Sequence, residues 1–175
     1  MSQYEIDPAH SRAHFKVRHL MVANVRGEFS KVTGTAVFDA DNPSNSKLEA
    51  TIDASTVNTS EPDRDTHLKS ADFLDVANFP TFKFVSKSFA KTGADTLKVV
   101  GDLTIHGVTK EVVLNVEGPT GEVKDPWGNT KAGASATTKI NRKDFGLTWN
   151  QALETGGVLV GEDIIITLDI ELIRK

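Results

Sequence analysis

The feature that most constrains this chain is the alternation of apolar and polar residues, repeated along almost its whole length. Ala13, Phe15, Val17 and His19 share one face of an extended segment, while His14, Lys16 and Arg18 share the other. The same period runs through Ala36, Phe38 and Ala40, through Leu48, Ala50, Ile52 and Ala54, and through Phe82 and Phe84. It continues in Leu97, Val99, Gly101, Leu103 and Ile105, then in Val112, Leu114 and Val116. Ala132, Ala134, Ala136 and Ile140 follow, and last come Ile164, Ile166, Leu168, Ile170 and Leu172. Successive side chains of a strand point to opposite faces, so a period of two marks half-buried strands. The chain reads as about eight strands separated by turn formers such as Asp41-Asn42-Pro43 and the Asp125–Asn129 run. His106-Gly107 joins two alternating runs as a tight hairpin.

One segment breaks the period. Ser60-Glu61-Pro62-Asp63 is an N-cap signature with acids in the first turn, and Ser70 suits the cap of a second helix. One or two short helices are therefore expected near residues 61–77, split as 61–69 and 71–77. Leu68, Phe73, Leu74 and Val76 would face inward, and Pro80 would end the helical stretch.

Antiparallel strands with one apolar face each must either sandwich or close, and closure removes exposed edges. The expected fold is all-β: an extended eight-stranded antiparallel barrel. A single domain over residues 1–175 is expected, because two domains in 175 residues would each have a thin core. Strands of about 10 residues tilted by about 40° give an interior roughly 25 Å tall. Ala13, Ala36, Ala50, Ala54, Gly101, Ala132, Ala134 and Ala136 all fall on the inner face and leave room for a long apolar slot. The competing reading is a filled barrel, in which these small residues pack against large ones across the interior.

Composition removes several function classes. Twenty Lys+Arg against 24 Asp+Glu, a net charge of −4, leaves no excess cation for nucleic acid. The absence of cysteine excludes thiol nucleophiles, zinc knuckles and disulfide frameworks. The longest aliphatic run, Ile164–Ile166, is far too short to span a bilayer. No basic region followed by an apolar run opens the sequence, so a cytoplasmic location is expected, or a periplasmic one for a mature chain already trimmed. Net negative charge repels anionic membranes, so lipid exchange would rely on a basic patch such as Lys16 and Arg18.

Catalytic constellations are mostly absent, with no Gly-x-Ser-x-Gly elbow and no His-Glu-x-x-His zinc helix. Gly156–Gly161 has the glycine spacing of a phosphate loop, but Glu162-Asp163 follow where Lys-Ser/Thr would be needed, so phosphate would be repelled. His10 and His14 would stand about 13 Å apart on an extended chain, and His14 and His19 point to opposite faces. No metal and no cofactor is expected. Strand parity puts Phe15, Val17, Phe38, Phe82, Phe84, Leu103, Leu114, Ala134 and Ile166 on the slot wall. His19, Arg64, His67 and Arg142 are the candidates for polar contacts to a ligand head group, with ordinary ion pairs or core hydrogen bonds as their structural alternative. Trp127 and Trp149 stand beside strands, where large aromatics cap a barrel end.

Asp7-Pro8-Ala9-His10-Ser11 with Phe15 and His19, then Arg64-Asp65 through His67-Leu68, Ser70 and Phe73 to Phe79-Pro80, resemble blocks of the YceI-like, polyisoprenoid-binding family. Val100–Thr109, Ile140–Gly146 and Leu153–Gly161 resemble its later blocks. The resemblance implies a lipocalin-like barrel that stores or transports a long isoprenoid, such as a polyprenyl phosphate or a quinone tail, without catalysis. The expected partner is thus an isoprenoid lipid or another long apolar molecule, with no nucleic acid and no transmembrane segment. A homodimer stays open. Two alternatives stand beside this: an enzyme acting on an apolar substrate with His67 and Asp65, or Asp72, at the barrel mouth, and a filled-barrel stress or interaction protein.

Overall fold

Strand β1 (Ser2–Ile6) turns at Asp7–Ser11 into β2 (Arg12–His19), which pairs with β3 (Ala23–Phe29). Strands β4 (Val32–Phe38) and β5 (Lys47–Asp53) precede helix α1 (Pro62–Lys69). The remaining strands are β6 (Thr81–Lys91), β7 (Thr96–Ile105), β8 (Val108–Glu117), β9 (Val123–Lys124), β10 (Thr130–Asn141) and β11 (Val160–Arg174). This computed structural model describes residues 1–154 and 157–175. The Gly156–Gly161 and Leu153–Gly161 blocks thus lie partly outside the described residues.

All pairings are antiparallel, and eight strands close the wall in the order β1-β4-β5-β6-β7-β8-β10-β11. Closure depends on the length of β11. One of its edges pairs with β10 from Ile173 to Asp163. Its other edge pairs first with β2, from Val160 to Asp169, and then with β1, from Leu172 to Arg174. Beyond β2, the free edge of β3 is taken up by Asn58, which exchanges backbone hydrogen bonds of 2.9 Å with Glu28.

The expected count of eight is reached with a different membership. β1 and β3 were not among the expected strands, because Tyr4 and Ile6 make a short signal and Gly27 interrupts the apolar face of β3. The Phe15 ring lies over Gly27, where a Cβ would collide with it. In β6 a bulge between Ser86 and Ser88 shifts the parity, so that Phe89 lines the interior together with Phe82 and Phe84. The His106-Gly107 hairpin forms as expected, with both residues at positive φ.

The helical stretch is corrected in two places. α1 is capped by Glu61 without a side-chain bond, while Ser60 takes a left-handed φ of 64°. Asp65 instead accepts from Thr59 N at 2.9 Å and ties the preceding loop to the first turn. Residues 71–77 form turns rather than a helix: Leu74 N reaches back to Leu68 O and Val76 N to Lys69 O, spacings too long for an α-helix. Leu68, Phe73, Leu74 and Val76 nevertheless pack inward as expected.

Candidate functional site

The inner faces of the strands enclose a cavity of about 270 Å³ whose wall is almost wholly apolar. All nine residues assigned to the slot by parity line it: Phe15, Val17, Phe38, Phe82, Phe84, Leu103, Leu114, Ala134 and Ile166. The lining reaches from Phe38, Phe89 and Val116 at one end of the barrel to Val57, Leu68 and Phe73, beneath α1, at the other. The small residues divide between two tasks. Ala13, Ala36, Ala50, Ala134 and Ala136 face the open space. Gly101 instead makes room for the Phe84 ring, and Ala54 is fully buried in a 3-10 turn. Small residues thus serve both packing and the slot.

The four head-group candidates separate. Arg142, in the 3-10 turn Arg142–Phe145 that follows β10, lines the α1 end of the cavity and is only 2% exposed. Its Nε donates to Gly161 O at 2.8 Å and its Nη1 to Leu147 O and Trp149 O at 2.6 and 2.9 Å. Its Nη2 donates to Val160 O at 3.2 Å. A guanidinium has five N–H groups, and these contacts engage four of them. Among the described residues no carboxylate forms an ion pair with it, and the nearby Glu162 is held by Lys143 at 2.7 Å. Burial lowers the Arg142 pKa, with the charge of Glu162 acting the other way. A buried cation balanced mainly by carbonyl dipoles is the electrostatic pole of the cavity.

The other three do not line it. His19 ends β2, half-buried, and Arg64 is an exposed residue whose guanidinium holds Thr59 Oγ1 at 2.7 Å and Thr59 O at 2.8 Å. His67 sits on the outer side of the α1 end, edge-on to Trp149 at 4.8 Å and to Phe73 at 5.0 Å. Its Nε2 is 2.9 Å from Asp72 Oδ2, whereas Asp65 is engaged by Thr59. The paired use of His67 and Asp65 therefore does not occur. Trp149 caps this end through its contact with Phe73, but Trp127, 83% exposed in the β9–β10 turn, caps nothing.

Sequence reasoning missed a polar knot on the outer wall. Asp7 accepts from Ala9 N at 3.0 Å, faces His10 Nδ1 at 2.9 Å and meets Lys131 Nζ at 3.1 Å. Lys131 also bridges to Glu171 at 2.5 Å, and the Ser11 hydroxyl accepts from Glu171 N at 3.0 Å. The hydrogen bond from His10, aided by Lys131, holds the Asp7 carboxyl down at about 2. Asp7, His10 and Glu171 are close enough to ligate a cation, but the Lys131 ammonium already supplies the positive charge there. The signal was the Asp7–Ser11 block, which marks the corner between β1 and β2.

An up-and-down barrel around an apolar interior with one buried cation belongs to the cavity-bearing binding barrels. The YceI-like domain family matches residues 4–172, and the chain belongs to that family. A UPF0312 protein of Staphylococcus aureus (strain MSSA476) is 42% identical over 165 residues, covering 94% of this chain and 93% of the relative. Among solved structures, the Campylobacter jejuni YCEI protein is 34% identical with a TM-score of 0.74, over 91% of each chain. Burkholderia cenocepacia BcnA shares the fold at 20% identity and a TM-score of 0.80, over 95% of this chain and 98% of its own. A polyisoprenoid binding domain from Saccharophagus degradans, 13% identical, shares it with a TM-score of 0.67 over 100% of both chains.

Proposed function

We propose that this protein binds a long isoprenoid lipid, a polyprenyl phosphate or a quinone tail, inside the barrel and stores or carries it without chemical change. The observation that carries this reading is the apolar cavity lined at one end by the buried Arg142, with which no carboxylate among the described residues pairs. Burying a hydrocarbon chain contributes about 25 cal/mol per Å² of apolar surface and discriminates weakly between chains. Orientation would come from Arg142, whose remaining N–H and net charge suit a phosphate or quinone oxygen. The isoprenoid-binding neighbour of the same fold supports the ligand class.

The test is organic extraction of freshly purified protein followed by mass spectrometry. A stoichiometric polyprenyl species in the extract is the expected result. An empty extract, together with no uptake from added quinones or polyprenyl phosphates, would overturn the proposal in favour of a filled barrel.

A further inference from the structure

The β2–β3 hairpin ends in Leu20, Met21 and Val22, which are 41%, 51% and 74% exposed. Three consecutive apolar side chains, each at least two-fifths exposed at a hairpin tip, form a patch that folding does not require, although Met21 also touches the chain at Gly157. The turn itself is built from unsuitable residues. Leu20 and Met21 hold φ at 52° and 61°, a conformation in which Asn and Gly are favoured and branched or bulky side chains are strained. Val22 N donates to His19 O at 3.1 Å and Leu20 N to Leu159 O at 2.9 Å, so the turn is anchored and its side chains face outward at a fixed place.

Behind the tip the outer face of the hairpin is cationic. Lys16 on β2 stands directly opposite Arg26 on β3, and Arg18 follows on the same face opposite Asn24. Like charges directly across a strand pair destabilise a hairpin unless an anion lies between them. Among the described residues none of the three forms an ion pair with a carboxylate. The acids at the start of β11 are engaged elsewhere, Asp163 with Lys139 at 3.3 Å and Glu162 with Lys143 at 2.7 Å, while Glu28, on the hairpin's own outer face, lies 3.8 Å from His14. Ile165, which pairs with Lys16 from β11, adds a further exposed apolar side chain to this face.

An apolar wedge with a cationic collar is the pattern of a segment that lies in a charged lipid interface. We infer that the β2–β3 tip docks on an anionic phospholipid bilayer: Leu20, Met21 and Val22 enter the interface while Lys16, Arg18 and Arg26 meet the lipid phosphates. Docking brings the Arg142 end of the barrel to the membrane, since Leu20 is bonded to the loop that leads into β11. The inference stands independently of what the cavity holds.

Flotation with phosphatidylcholine vesicles, with and without phosphatidylglycerol, tests it. The protein should float with the phosphatidylglycerol vesicles, not with phosphatidylcholine alone, and should be released by salt. The double variant Leu20→Asn/Met21→Gly supplies the residues the turn prefers, so it should fold at least as well while losing about tenfold or more in vesicle affinity. Lys16→Gln and Arg26→Gln should each cost about fivefold and flatten the salt dependence. Absence of flotation with phosphatidylglycerol vesicles, or undiminished flotation of the folded turn variant, would overturn the inference. So would a self-association in sedimentation that the turn variant dissolves without any vesicle binding, which would assign the tip to a second copy of the chain.

Discussion

Arg142 binds four carbonyl oxygens contributed by the segment from Leu147 to Gly161. Arg142→Met would strip this donor from the Leu147, Trp149 and Gly161 carbonyls, while Val160 O keeps its bond from Asn150 Nδ2 at 2.7 Å, and we expect a loss of about 3 to 5 kcal/mol in urea unfolding. Arg142→Lys should recover little, because an ammonium on a flexible stem cannot present a planar fork to four acceptors. The sequence exposes Arg142 as a charge beside an apolar strand, but its partners are backbone carbonyls of the following loop and of the start of β11, which no residue pattern encodes. The same limit explains His67, whose spacing to Asp65 and to Asp72 looks equally suitable until the loop before α1 claims Asp65 through Thr59. At Asp7 the folded carboxyl titrates near 2 against an ordinary value of 3.8, so its stabilisation is full above pH 4 and is lost as the pH falls toward 2. With solvent screening around the exposed His10, that contribution is about 1 kcal/mol. Asp7→Asn should remove this part of the acid sensitivity in a pH series of denaturation midpoints.

Among the elements, the β7–β8 hairpin gives the sharpest test of turn chemistry. Gly107 has a φ of 71°, and a Cβ there would press on the Phe79 ring, which also packs against His106 at 4.6 Å. Gly107→Ala should therefore lower stability by about 1 to 2 kcal/mol, read as a shift in unfolding midpoint without a change in slope. Elements with unbroken alternation, such as β7, β8, β10 and β11, are legible from sequence because each turns one continuous face inward. β6 is legible only as far as Phe84, since the bulge at Ser86–Ser88 moves the inward positions from even to odd numbers. β3 escapes because Gly27 yields its place to Phe15, a contact between strands rather than a property of either one.

For the whole molecule, the cavity and the charge pattern make separate predictions. Ala134→Trp places an indole on the lining near the Val116 end of the cavity, so uptake of a polyprenyl phosphate should fall by about tenfold or more while far-UV circular dichroism stays that of a barrel. Undiminished uptake by the folded variant would remove Ala134 from the ligand path. The carboxylates whose pKa values move are all moved down: Asp7, Asp39, Asp53, Glu122, Asp125 and Glu162, mainly by hydrogen bonds from neighbouring side chains and backbone amides. Their contributions are present above the ordinary carboxylate range and lost in acid. Lys87 and Lys131 are moved up by their carboxylate partners, so their contributions are complete below about pH 10 and are lost above it. Thermal unfolding should show a plateau between these limits. The way β11 joins β10, β2 and β1 also sets a timetable for the chain. Until β11 leaves the ribosome, three strand edges wait without partners and no enclosed interior exists. At about 5 to 20 residues per second, the edge of β2 away from β3 waits on the order of 10 to 30 s for β11. The enclosed interior is thus the last feature of the fold to form, and no cavity exists until nearly the whole chain has been made.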